Sequence, residues 1–229
     1  MLPGDAGRGR AFWHTNGMND FDFWGKNLHT AIEIAGTAAF AMSGVLEAAR
    51  KRLDPVGVCV VAFLAAFGGG TLRDLLLDQR PFFWVGHVEV LWGVFALCLL
   101  AMSFLKARHF AITERAMQWP DAIGLGLFTA VGVHQSLLLQ MPALVVVLMG
   151  VITSTFGGVL RDLVCNEIPT AFKDHRPYAL CAFAGGWAYL GVLHAGLPLH
   201  WALGLCVVVA ASLRMLSLWR GWRLPAWRA

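Results

Sequence analysis

Residues 69–75, Gly69-Gly70-Thr71-Leu72-Arg73-Asp74-Leu75, return 88 positions later as Gly157-Gly158-Val159-Leu160-Arg161-Asp162-Leu163. The register continues without a gap in both directions. Downstream, Pro81 meets Pro169 and His87 meets His175; upstream, Gly36, Phe40, Gly44 and Val45 meet Gly124, Phe128, Gly132 and Val133, and Glu33 meets Asp121. Matching Leu and Val between apolar segments means little, but a shared Gly-Gly-x-Leu-Arg-Asp-Leu run does not follow from composition. The chain is an internal duplication.

The composition around the repeat excludes an ordinary soluble protein. Of 229 residues, 58% are apolar and 14% charged, with mean hydropathy +0.62. Soluble chains average roughly 45–50% and about 25%, so too few charges remain to cover a water-facing surface. The 25 glycines suit transmembrane helices, where small residues let backbones approach. A spanning helix needs about 20 apolar residues. Seven stretches qualify: 28–50, 55–79, 87–106, 117–139, 142–167, 177–196 and 199–219. Pro55, Pro120, Pro142, Pro177 and Pro198 stand near their starts, where a missing N–H costs little. Tryptophans 84, 92, 119, 201, 219 and 222 fall near their ends, as an aromatic belt would. The expected fold is an all-α membrane protein in one membrane domain. A polar N-terminal arm (1–27) carries the aromatics Phe21, Phe23 and Trp24 and no signal-peptide core. It precedes repeat 1 (28–106), repeat 2 (117–196), a seventh span (199–219) and a basic aromatic tail (220–229).

Counting Lys and Arg outside the spans gives a side with twelve: Arg50, Lys51, Arg52, Lys106, Arg108, Arg115, Lys173, Arg176, Arg214, Arg220, Arg223 and Arg228. The other side has four: Arg8, Arg10, Lys26 and Arg80. The positive-inside rule then puts the N-terminus outside and the C-terminus in the cytoplasm. Basic residues in short loops are an orientation signal, so nucleic acid is not an expected partner. The five cysteines lie in apolar runs with no metal or disulfide spacing. No nucleophile triad, P-loop, dinucleotide fingerprint or metal cluster occurs, so neither an enzyme nor a cofactor is expected.

Each repeat has three spans, an odd number, so the second copy enters from the opposite face. The halves form an inverted-topology pair whose function belongs at their interface, on broken helices. Gly68, Gly69 and Gly70 in span two, with Gly157 and Gly158 in span five, mark a kink or unwound segment whose freed carbonyls would line a path; close helix packing is the alternative. Thr71, Thr153, Ser154 and Thr155 offer hydroxyls for that lining. One turn further lie Arg73-Asp74 and Arg161-Asp162. Charges inside spans are costly and face a cavity or a partner. They are either a gate, with Asp74 and Asp162 drawing cations, or an internal ion pair. Glu33 and Asp121, in the first turns of spans one and four, are mouth acids or acids held by the helix dipole. His134, His87 and His175 are packed or interfacial histidines, or protonatable ones.

These residues resemble the TRIC family, the trimeric intracellular cation channels, and most of all its prokaryotic branch. Phe40-Ala41-Met42-Ser43-Gly44, Gly68-Gly69-Gly70-Thr71-Leu72-Arg73-Asp74 and Gly157-Gly158-Val159-Leu160-Arg161-Asp162 carry the resemblance, which covers about residues 28–219. It implies a homotrimer in a bacterial inner membrane, with lipid between subunits. Each subunit would have its own pore along spans two and five, passing potassium and other monovalent cations with no tightly bound metal. It assigns pore roles to Gly68, Gly69, Gly70, Arg73, Asp74, Gly157, Gly158, Arg161 and Asp162, with potassium passing Asp74 and Asp162. Animal members carry a phosphoinositide-handling Lys-Glu-Val motif in span five; Val159 to Leu163 depart from it. Some bacterial relatives are described as glycine or small amino-acid transporters, so a secondary transporter using the same site stays open beside the channel. The arginines fit a substrate carboxylate better than a cation, and the adjacent acids offset this in part.

Overall fold

The computed structural model describes residues 24–104, 114–172 and 176–225. Phe21, Phe23, Arg8, Arg10, Lys106, Arg108, Lys173, His175 and Arg228 lie outside the described residues, as do the side chains of Trp24, Lys26 and Arg115. The regular structure among the described residues is all helical: α1 (Trp24–Arg50), α2 (Pro55–Leu76), a short α3 (Phe83–Gly86), α4 (Val88–Phe104), α5 (Glu114–Leu138), α6 (Ala143–Val164), α7 (Ala179–His194) and α8 (Leu199–Arg220). Five contain stretches long and apolar enough to cross a membrane: Asn27–Arg50, Pro55–Leu76, Ala116–Leu138, Ala143–Val164 and Leu199–Arg220. The equally apolar α4 and α7 have 17 and 16 residues, about 25 Å of helix against a hydrocarbon core of about 30 Å.

Local chemistry sets the ends. Pro55 opens α2, where Asp54 Oδ1 accepts the Gly57 N–H at 2.7 Å. Pro142 and Pro198 sit just before α6 and α8, and Gly221 ends α8 in the left-handed region at φ 64°. Pro120 departs from expectation. It lies inside α5, because the helix starts earlier than hydropathy alone indicates.

The core is a four-helix arrangement: α1 packs on α2 and α5, α6 packs on α5 and α2, and α7 and α8 cover the α5–α6 side. Contacts recur in both halves at the 88-residue offset. Gly44 meets the backbone of Val61 and Ala62 as Gly132 meets that of Met149. Gly124 lies against the Phe40 ring and Gly36 against the Phe128 ring, and those two rings stack at 5.4 Å and 15°. Among the described residues, the four non-glycine positions with positive φ form two matched pairs, Arg52 with Gln140 (54° and 55°) and Asp78 with Asn166 (51° and 55°). Duplicated sequence here gives duplicated backbone.

Candidate functional site

An arginine inside an apolar helix must find charge partners or leave its position, because an unpaired buried charge costs several kcal/mol. Arg73 and Arg161 are fully buried, and each lies between two carboxylates. Arg73 Nη2 donates to Glu33 Oε1 at 2.7 Å and to Asp74 Oδ1 at 2.6 Å, and its Nε donates to Asp74 Oδ1 at 2.9 Å. Arg161 Nη1 donates to Asp121 Oδ1 at 2.6 Å and Nε to Asp162 Oδ1 at 2.8 Å; Nη1 also donates to Ser43 Oγ. The second carboxylate oxygens are held by the chain that follows. Asp74 Oδ2 accepts the Phe83 N–H at 3.1 Å, and Asp162 Oδ2 accepts the Thr170 N–H and hydroxyl at 2.7 and 2.8 Å. With its carboxyls ionised each cluster carries one net negative charge, since acids outnumber arginines two to one.

Each cluster borders a cavity, and the two cavities lie at opposite ends of α1. One, of about 170 Å³, is lined by His29, Thr30, Glu33, Arg73, Asp74, Gln79, Pro81, Phe83, His87 and Gln135. Three of its buried polar atoms, His29 Nε2, Arg73 Nη1 and Gln135 Oε1, have no hydrogen-bond partner. The other, of about 10 Å³, has room for about one water and is lined by Glu47, Arg50, Met117, Asp162, Glu167, Ile168 and Thr170.

Several expectations change here. Gly68, Gly69 and Gly70, like Gly157 and Gly158, keep helical backbone, so the unwinding expected there is absent. The glycines instead let α2 and α6 cross backbone to backbone. A Cβ on Gly69 would overlap the Thr153 carbonyl oxygen and one on Gly157 that of Ala65, while Gly68 faces Leu160 at 2.6 Å. Gly70 and Gly158 face the charge clusters, next to Glu33 and Arg73 and to Asp121, Arg161 and Tyr178. The hydroxyls bond back to their own helices, Thr71 to Phe67, Thr153 to Met149, and Ser154 and Thr155 to Val151. Thr71 Oγ1 also accepts the Trp84 indole N–H at 3.2 Å. Glu33 and Asp121 are not first-turn acids but the arginines' partners, deep in α1 and α5. His87 lines the wide cavity, while His134 Nδ1 lies 2.8 Å from the Tyr189 hydroxyl.

Arg214 corrects the charge count: it is buried within α8, with its guanidinium carbon 4.6 Å from the Tyr178 ring centroid and Nη1 donating to the Pro177 carbonyl at 3.3 Å. Its position inside the predicted seventh span was signal enough. Ser43, Gln135, Glu47 and Glu167 were not anticipated, because polar residues on different helices acquire a common site only through packing.

The chain is similar to known membrane proteins. The family model described as Glycine transporter matches residues 30–106 and 118–194, the two repeats. A UPF0126 membrane protein of Vibrio cholerae is 39% identical over 165 residues, 72% of this chain and 68% of that one. The UPF0126 inner membrane protein YadS of Escherichia coli K12 is 35% identical over 199 residues, 85% and 93% of the two chains. Among solved structures, the TRIC trimeric intracellular cation channel orthologue from Rhodobacter sphaeroides superposes with TM-score 0.79 at 31% identity, covering 85% of this chain and 99% of its own. A second structure, described by its role in conductance through TRIC cation channels, matches with TM-score 0.76 at 30% identity, covering 87% and 97%.

Proposed function

The chain belongs to the TRIC family of membrane proteins, in the prokaryotic branch formed by the UPF0126 proteins, and from that premise we propose that it is a monovalent cation channel, with potassium as the main ion and one path per subunit. The observation that carries this reading is the pair of buried Glu/Asp–Arg–Asp clusters, each with two acids to one arginine, at cavities on opposite ends of α1. A cation entering either cavity meets a cluster in which acids outnumber arginines. The arginine fixes the acids in place and keeps the ion from binding too tightly to leave, as conduction requires. In this reading α1, α2 and α4 form one repeat, α5, α6 and α7 its inverted copy, and α8 a seventh crossing. The path runs along the α2–α6 crossing, past Thr71 and Ser154, when Gly68, Gly69, Gly70, Gly157 and Gly158 allow the helices to part. The N-terminus lies outside and the C-terminus in the cytoplasm, with three subunits and intervening lipid in an inner membrane. Moving Arg214 into α8 leaves eleven basic residues against four, which keeps that orientation.

A second reading, a transporter for a small amino acid, is favoured by one observation. The wide cavity holds an unpartnered Arg73 Nη1 for a carboxylate and an unpartnered Gln135 Oε1 for an ammonium. Purified protein in planar bilayers under a potassium chloride gradient separates the two. The channel reading expects discrete current steps reversing near the potassium potential. Slow, saturable uptake of labelled glycine without such steps overturns it.

A further inference from the structure

The two cavities occupy equivalent places in the duplicated backbone yet differ more than tenfold in volume, about 170 against about 10 Å³. The turns around the paired left-handed residues are alike in both halves, but the loops beyond them differ, since Asp74 Oδ2 accepts the Phe83 N–H and Asp162 Oδ2 that of Thr170, one position earlier in the repeat register. The charges differ as well. At the narrow end, the turn after α1 reaches across to the turn after α6. Lys51 Nζ donates to Glu167 Oε1, Arg50 Nη2 stands 3.6 Å from that same oxygen, and Arg50 is anchored on Glu47 by bonds of 2.9 and 2.6 Å. At the wide end, the positions equivalent to Glu47, Arg50, Lys51 and Glu167 are Gln135, Leu138, Leu139 and Gln79. All four are uncharged, and no strap can form. The mouth that carries the ion pairs is thus the narrow one, and the mouth without them the wide one.

We propose that Lys51 and Arg50 with Glu167 are a one-sided gate, a tethered cationic strap across an acidic mouth, whose release exposes Glu47, Asp162 and Glu167 to an arriving cation. The inference rests on the path proposed above. Each strap residue is close to 30% exposed, so the pairs are weak enough to open on the time scale of gating, and salt screens them.

The test has an arm that needs no current. In a Cys165→Ser background, Met117→Cys places a thiol at the narrow cavity. Its labelling by a water-soluble thiol reagent is expected to speed up about two- to fivefold when Lys51→Gln is added, and to return to the starting rate in the charge exchange Lys51→Glu with Glu167→Lys. In bilayers, Lys51→Gln is expected to raise open probability by a similar factor. The reverse construction, Leu139→Lys with Gln79→Glu, builds the strap at the wide mouth and is expected to lower it. Unchanged labelling overturns the gate whether or not the protein conducts. Altered labelling without any current in wild type retains the strap and overturns the channel reading instead. If Lys51→Gln fails to fold, the Leu139→Lys with Gln79→Glu pair, on exposed positions, decides alone, and an unaltered open probability overturns the gate.

Discussion

Alanine at Gly69 measures how closely α2 and α6 are held. Its Cβ would overlap the Thr153 carbonyl oxygen, whereas ordinary contact begins at 3.4 Å, so the helices must part by on the order of 1 Å. Overpacking of this kind costs about 1–3 kcal/mol, and alanine regains up to about 1 kcal/mol of helix propensity. The net expectation is a loss of roughly 0.5–2 kcal/mol. Gly157→Ala meets the Ala65 carbonyl at the matched point of the same crossing and should cost as much. One separation relieves both overlaps, so the double variant should lose less than the sum of the singles, by about 1 kcal/mol. Gly93→Ala is the reference, because nothing lies within 4 Å of its Cβ; it should be neutral or stabilising. Denaturation of the purified protein by SDS titration, followed by helical circular dichroism, supplies all four numbers. If Gly69→Ala is as stable as Gly93→Ala, or if the two losses simply add, the backbone-to-backbone crossing is refuted.

The charge clusters give further tests. Arg161→Met strands Asp121 and Asp162 and should cost about 3–5 kcal/mol in the same titration, a good part of it recovered by adding Asp121→Leu. Asp74→Asn and Asp162→Asn each remove the net charge of one cluster. At about 1 kcal/mol of screened attraction, or roughly fivefold, the cation-to-anion permeability ratio should fall; unchanged reversal potentials would return both acids to a purely structural role. Asp54→Ala removes the cap on Gly57 N–H and should destabilise by about 1 kcal/mol, with faster amide exchange confined to the first turn of α2.

The helices were legible because their cause is local. A run of apolar residues that begins at Pro55 or Pro198 carries its own length and start, and the register of Gly-Gly-x-Leu-Arg-Asp-Leu marked the two arginines as equivalent before any contact was known. Their partners were not legible. Glu33 and Arg73 are 40 residues apart and so are Asp121 and Arg161, so the repeat made the acids equivalent without saying what they touch. A helix-dipole role then sufficed to explain them. The glycine runs admitted two readings for a related reason. Consecutive glycines weaken a helix alone, but against a second backbone they are what permits contact, and which condition holds depends on a helix 88 residues away.

The divergence between the repeats follows from where each position faces. Identity persists at Gly36 and Gly124, Gly44 and Gly132, Gly69 and Gly157, and Arg73 and Arg161, which lie where helices touch or where a buried cation sits among acids. There a change in either copy meets a packed neighbour or strands a charge. Identity is lost at Glu47 and Gln135, Lys51 and Leu139, and Gln79 and Glu167, which border the cavities or their rims. Lys51, Leu139, Gln79 and Glu167 are partly or well exposed, and at such positions a substitution typically changes stability by less than about 0.5 kcal/mol, so the two mouths can differ while the frame between them stays duplicated.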